Sequence, residues 1–282
     1  MRRIASLILG LLLSLFVALP GHAARAQAAP AQSAPVSADA PSFARWAAVV
    51  VAGDWQADSG EPTEAFDNAR RDVSATLTRF GFAQGAVRQY SVRPKRYPAV
   101  KPGKSDLRDI HAGLRGLATK NTAGCLVYIT SHGAPEGAVL DEDILPPNLL
   151  AAAIDDACPA RPTIVVISAC YSGVFVKPLQ RDDRMILTAA RPDRTSFGCG
   201  VDDKYPYFDD CFLSSARSAR DFAALGRAVQ TCVARRERET GAEPASEPQL
   251  WIGPGLRPLL PLYAFPSRLR DTAQPGAPRK RR

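Results

Sequence analysis

Histidine is scarce in this chain of 282 residues, which holds only His22, His111 and His132. The six cysteines are scattered and none stands in a C-x-x-C pair, so no zinc-ligand spacing emerges and no metal is expected. The glycine spacing of a nucleotide-binding turn is missing as well: Gly53-Asp54 closes the first apolar run without further glycines in register, and no cofactor is expected. Beyond the N-terminal stretch, no segment reaches the ~20 apolar residues a spanning helix needs, and no internal repeat is visible. Positive charge is in excess, but not in the body of the chain. Arg2, Arg3 and Arg25 carry three of the eight net charges, and Arg279-Lys280-Arg281-Arg282 carry four more, which leaves about +1 elsewhere. A nearly neutral body gives no footing for nucleic acid.

The first residues have the plan of a secretory signal peptide: basic Met1-Arg2-Arg3, a mostly apolar Ile4 to Leu19, then Pro20-Gly21-His22-Ala23. Cleavage is expected after Ala23, Ala26 or Ala28, so residues 1–28 are assigned to the signal. The rival is an uncleaved anchor, but sixteen apolar residues fall short of the ~20 required. A periplasmic or secreted protein follows, with no integral membrane segment after cleavage. Residues 29–42, rich in Ala, Pro, Ser and Gln, read as a disordered linker, 43–260 as the folded domain, and 261–282 as a disordered basic tail.

Within the domain, short β-branched runs that do not alternate read as buried parallel strands: Trp46–Ala52, Val87–Val92, Cys125–Thr130, Thr163–Ser168 and Met185–Ala190. Between them lie helical patterns. Thr63 is the expected N-cap for Phe66, Ala69, Val73, Leu77 and Phe80, and Ser105 for Leu107, Ile110, Leu114 and Leu117. Pro146-Pro147 open a third helix through Ala157, and a long one runs from Ser218 to Glu239; Glu136 to Leu140 reads as a hairpin. Alternating strands and helices predict an α/β fold, a mainly parallel sheet covered on both faces.

Two strands end in chemistry. One stops at Ser131-His132-Gly133 and the other, thirty-eight residues on, at Ala169-Cys170-Tyr171-Ser172-Gly173. Functional groups of open α/β sheets gather beyond the carboxyl ends of strands. A thiol and an imidazole placed there are the minimal set for nucleophilic catalysis by a thiolate. Gly133 lets the chain turn and brings its amide, with that of Cys170, to an oxyanion. Taken singly, each residue has a plain reading: Ser-His-Gly as an ordinary turn, Cys170 as a small packed hydrophobe, His111 as a solvated helix residue. Keeping Cys170 free leaves at most two disulfides. Cys199 and Cys211, flanking a turn-rich stretch, are the expected pair, with Cys125, Cys158 and Cys232 also able to take part.

These residues resemble the legumain family of cysteine peptidases. The likeness rests on the apolar strand with Ser131-His132-Gly133-Ala134, the strand with Ser168-Ala169-Cys170-Tyr171-Ser172-Gly173, and Thr188-Ala-Ala190 followed by Thr195-Ser196-Phe197-Gly198-Cys199. It spans roughly Trp46 to Gly253. The resemblance implies a caspase-like three-layer α/β/α sandwich and a cysteine endopeptidase acting on polypeptides, with Cys170 as nucleophile, His132 as acid–base, and Gly133 and Cys170 amides as the oxyanion hole. It also implies Ser196, Asp210 and Tyr171 in the substrate pocket. Tyr171 stands where many relatives carry an acid, Asp54-Trp55 stands near a supporting Asn, and the basic pocket residues of the family have no counterpart in Phe66 to Asp72. With an uncompensated Asp210, cleavage is expected after Asn or a basic residue. A transpeptidase or transamidase working through the same acyl-enzyme, and a non-enzymatic binding or scaffold protein, are the alternatives.

Overall fold

The computed structural model describes residues 41–266. The expected signal segment, nearly all of the expected linker, and the tail from residue 267 onward lie outside the described residues.

A seven-stranded sheet forms the middle layer. Its strands are β1 (Trp46–Ala52), β2 (Val87–Ser91), β3 (Gly103–Lys104), β4 (Gly124–Thr130), β8 (Thr163–Ser168), β9 (Arg184–Thr188) and β10 (Gln249–Ile252). In space they run β10-β9-β8-β4-β1-β2-β3, parallel except for β10, which lies antiparallel on β9. Every residue of β1, β4 and β8 is buried, as their unbroken apolar runs require of strands covered on both faces. A second, antiparallel sheet of β5 (Gly133–Ala134), β6 (Gly137–Leu140) and β7 (Asp143–Leu145) contains the predicted hairpin.

The two faces of the sheet carry different helices. On one, Trp46, Ala48, Val50, Leu126 and Val166 meet α1 (Ala65–Arg79), α5 (Tyr207–Ser215) and α6 (Phe222–Thr240). On the other, Ala47, Val49, Val51, Val127 and Val165 meet α2 (Leu107–Ala118), α3 (Pro147–Ala157) and the short α4 (Val176–Leu179). The α/β three-layer arrangement is as predicted. Cap positions shift by a residue or more. Asp106 caps α2 through the Arg108 and Asp109 amides, while Ser105 donates its hydroxyl to Ala52 O at 2.6 Å. The long helix expected from Ser218 starts at Phe222, where Asp221 caps it by accepting from the Ala224 amide.

Two expectations are corrected. The packed body continues past residue 260: Phe265 is 3 % exposed and stacks on Phe80 with ring centroids 3.6 Å apart. The disulfides are Cys125–Cys158 and Cys211–Cys232, so Cys199 is not bonded to Cys211. The reason lies in α5, which begins at Tyr207 and turns Cys211 toward α6. Cys199 sits in the preceding loop against Ala52 and Phe66, where burial pushes its thiol well above the ordinary value. Cys170 and Cys199 are free.

Candidate active site

Strand register brings the two predicted side chains together. Thr130 of β4 is the partner of Ser168 of β8, so His132 and Cys170 each stand two residues beyond one rung of adjacent parallel strands, which are ~4.8 Å apart. The Ser131 amide donates to Ser168 O at 3.0 Å and extends the pairing toward them. At the next step the chains press against each other: a β-carbon on Gly133 would overlap the carbonyl of Cys170, so only glycine fits there. The bond from the Val139 amide to His132 O (2.9 Å) has a second effect. Bonded pairs alternate along an antiparallel ladder, so the Gly133 amide, paired opposite Ala138, is turned away from β6.

The imidazole is held from three sides. Its Nε2 lies 2.9 Å from the backbone carbonyl of Gln56. A carbonyl only accepts, so Nε2 carries the proton and, in the neutral ring, Nδ1 is the free base. Nδ1 faces the exposed carboxylate of Asp58 at 3.5 Å. Phe66, at the first turn of α1, packs edge-on against the ring with centroids 5.0 Å apart. Gln56 and Asp58 are presented by a tight loop. Asp54 Oδ1 accepts from the Trp55 and Gln56 amides, Gln56 bridges to Pro62, and the Thr63 amide donates to Trp55 O at 2.9 Å. Arg93 braces this loop from outside, stacking over the Trp55 ring and donating to Thr63 O.

Cys170 is partly exposed, and its sulfur lies against Ser196. The Ser196 amide donates to Sγ at 3.2 Å and its hydroxyl is 3.6 Å away. No hydrogen bond joins Sγ to His132 among the described residues; the two residues follow the ends of neighbouring parallel strands. Tyr171, at φ 56°, takes the left-handed conformation that turns the chain sharply after the cysteine, and its amide donates to Arg194 O at 2.7 Å. The loop after β9 thus closes over Cys170, fixed by Ser172, whose hydroxyl accepts from the Ala190 amide.

Asp210 does not stand uncompensated as expected. Its carboxylate pairs with Arg236 of α6, whose guanidinium stacks on Tyr207, and it borders a cavity of about 350 Å³ with Asp72, Lys204 and Arg217. The acid that reaches β4 and β8 is its neighbour Asp209, which is completely buried. It accepts from Tyr128 Oη at 2.5 Å, Thr130 Oγ1 at 2.9 Å and Ser168 Oγ at 2.7 Å. Burial pushes this carboxyl up to about 6 against the pull of the three hydroxyls. Sequence reasoning missed Asp209, Gln56, Asp58 and Phe66. A helical recurrence of Phe208, Cys211 and Phe212 after Pro206 was the available signal for α5 and for an inward face beside Asp209. Among the described residues, no three His, Cys, Asp or Glu side chains are grouped so as to hold a metal ion, and no helix is long and apolar enough to cross a membrane.

No curated protein gives a significant match to this chain. Among solved structures, the chain is similar to caspase-1 from Spodoptera frugiperda, with 18 % sequence identity and a TM-score of 0.54 over 77 % of this chain and 92 % of that one. At that identity the likeness establishes a caspase-like fold. The sequence profile of the Peptidase C13 family, the legumain family of cysteine peptidases, matches residues 66–238, more than half of the chain and including the strands that end before His132 and Cys170, and the protein belongs to that family.

Proposed function

We propose that the protein is a cysteine endopeptidase in which Cys170 and His132 act as a dyad. The observation that carries this reading is the register of β4 and β8, which sets both residues at one level with Gly133 pressed on the Cys170 carbonyl. The thiolate of Cys170 attacks the peptide carbonyl and forms a thioester, while the C–N bond breaks and the leaving amine takes a proton from His132 Nδ1. Water then attacks the thioester, giving its proton to Nδ1, and thiolate and carboxylic acid are released. Throughout, Nε2–H stays on Gln56 O, which leaves Nδ1 as the nitrogen that gives and takes the proton. The oxyanion is held by the amides of Cys170 and of Gly133, the latter free of β6. As negative charge shifts to and from sulfur, the Ser196 amide remains a fixed donor to it.

A scaffold that had lost activity has no need of a free, partly exposed thiol at this position, whereas Cys170 is free in a chain with two disulfides. Those disulfides also support a place outside the cytoplasm, periplasmic or secreted, as the expected signal segment does. The test is peptide hydrolysis by purified Cys170→Ala and His132→Ala. Both variants should fold as the wild type and lose turnover by about a thousandfold or more. Hydrolysis in Cys170→Ala at close to the wild-type rate would remove the assignment.

A further inference from the structure

We propose that Asp209 is a positioning residue for the dyad: its buried carboxylate joins the ends of β4 and β8 two residues before His132 and Cys170, and so sets the separation and tilt of imidazole and thiol. The inference rests on the dyad reading above. One oxygen, Oδ2, accepts from both Thr130 and Ser168, which are partners across the last rung of the two strands. Oδ1 accepts from Tyr128, one step further back on the same face of β4. Beyond that rung the backbone joins the strands by a single bond, Ser131 N–H to Ser168 O. The carboxylate therefore holds the strands together where the ladder is running out and the functional side chains begin.

A merely structural role explains this residue poorly. Asp209 is 0 % exposed, and no Lys, Arg or His is bonded to it among the described residues. The adjacent Asp210, whose like charge acts on it, is already paired with Arg236. Burying a carboxylate without a cation is costly, and an apolar side chain against Phe212 and Tyr128 would hold α5 to the sheet without that cost. Costly buried charge placed beneath reacting groups is the pattern of residues kept for function rather than stability.

The test is Asp209→Asn in the full chain, measured for kcat, KM, unfolding by denaturant at pH 7, and the rate at which iodoacetamide modifies Cys170. The amide accepts at one atom and donates at the other, so it cannot serve both the Thr130–Ser168 pair and Tyr128, and one side of the clamp on the two strands is lost. The variant is expected to resist denaturant at least as well as wild type, to keep KM within about threefold, and to lose about tenfold to a hundredfold in kcat, the scale of small misplacements at an active site. A kcat within about twofold of wild type in the folded variant overturns the proposal. If Asp209→Asn does not fold, Thr130→Val and Ser168→Ala decide: each is expected to lower kcat severalfold, and unchanged kcat in both overturns it. Failure of the dyad reading shows separately, as turnover that is absent from wild type or survives in Cys170→Ala. The positioning role is then judged on alkylation alone. Slower modification of Cys170 in Asp209→Asn supports it, and an unchanged rate overturns it.

Discussion

Asp209→Asn is expected to change how stability depends on pH, and the size of the change follows from burial. In the folded protein the Asp209 carboxyl is raised from its ordinary 3.8 to about 6, with desolvation the largest cause. A group raised in the folded state favours folding while protonated. Its contribution is full below the ordinary value near 4 and is lost as the pH rises through about 6. The two values lie about two units apart, and at ~1.4 kcal/mol per unit the wild type loses about 3 kcal/mol from this group in all, about 2.4 kcal/mol of it between pH 4 and pH 7. An asparagine cannot ionise and loses nothing. Other carboxylates, such as Asp155 beside Arg184 and Arg181, are lowered and act in the opposite sense, but they are present in both proteins and cancel in the difference. Chemical denaturation of both proteins at steps from pH 4 to pH 7.5 measures it. Stability of the variant minus that of wild type should rise by about 2.4 kcal/mol across the window, mostly between pH 4.5 and 6.5. A difference that stays flat would show that the carboxylate is not desolvated as described, and would also withdraw the argument that Asp209 is kept at a cost.

Other outcomes are equally specific. Iodoacetamide at pH 7 should modify Cys170 in the native protein and leave Cys199 untouched until unfolding, because burial both covers the Cys199 thiol and pushes it well above its ordinary value; peptide mapping by mass reads both sites. Non-reducing digestion should yield the Cys125–Cys158 and Cys211–Cys232 linked peptides, and replacing either pair by alanines should cost roughly 3–4 kcal/mol, the loop-closure value for separations of 33 and 21 residues. Asp210→Ala should leave the peptide-library cleavage profile unchanged, since its carboxylate is engaged by Arg236; a profile shifted toward acidic residues would restore Asp210 to the substrate pocket.

The sequence disclosed the centre of the fold better than its margins, for a physical reason. Strands buried on both faces must be apolar along their middle and can carry only hydrogen-bonded hydroxyls at their ends, so Trp46–Ala52 and Thr163–Ser168 were bounded to the residue by composition alone. Edge elements carry no such mark. β10 is four half-buried residues at the antiparallel edge, β3 is two residues long, and α5 hides its inward Phe208, Cys211 and Phe212 among turn formers and two adjacent acids. The site divides in the same way. His132 and Cys170 were legible because each ends a buried run. Gln56 contributes a backbone carbonyl, which has no side-chain signature, and the burial of Asp209 is a tertiary fact that its neighbour Asp210, one residue on and exposed to Arg236, concealed. Disulfide pairing followed helix faces rather than spacing, which is why Cys211 found Cys232 and not Cys199.

The central claim is that Cys170 forms the covalent intermediate with His132 as its acid–base. The most direct measurement is intact-protein mass spectrometry after reaction with a peptidyl acyloxymethyl ketone, followed by mapping of the modified peptide. The account predicts a single adduct on Cys170, formed much more slowly in His132→Ala and not formed at that position in Cys170→Ala, together with loss of peptide hydrolysis in the labelled protein. Full hydrolytic activity after complete labelling of Cys170, or an adduct confined to another residue, would contradict it.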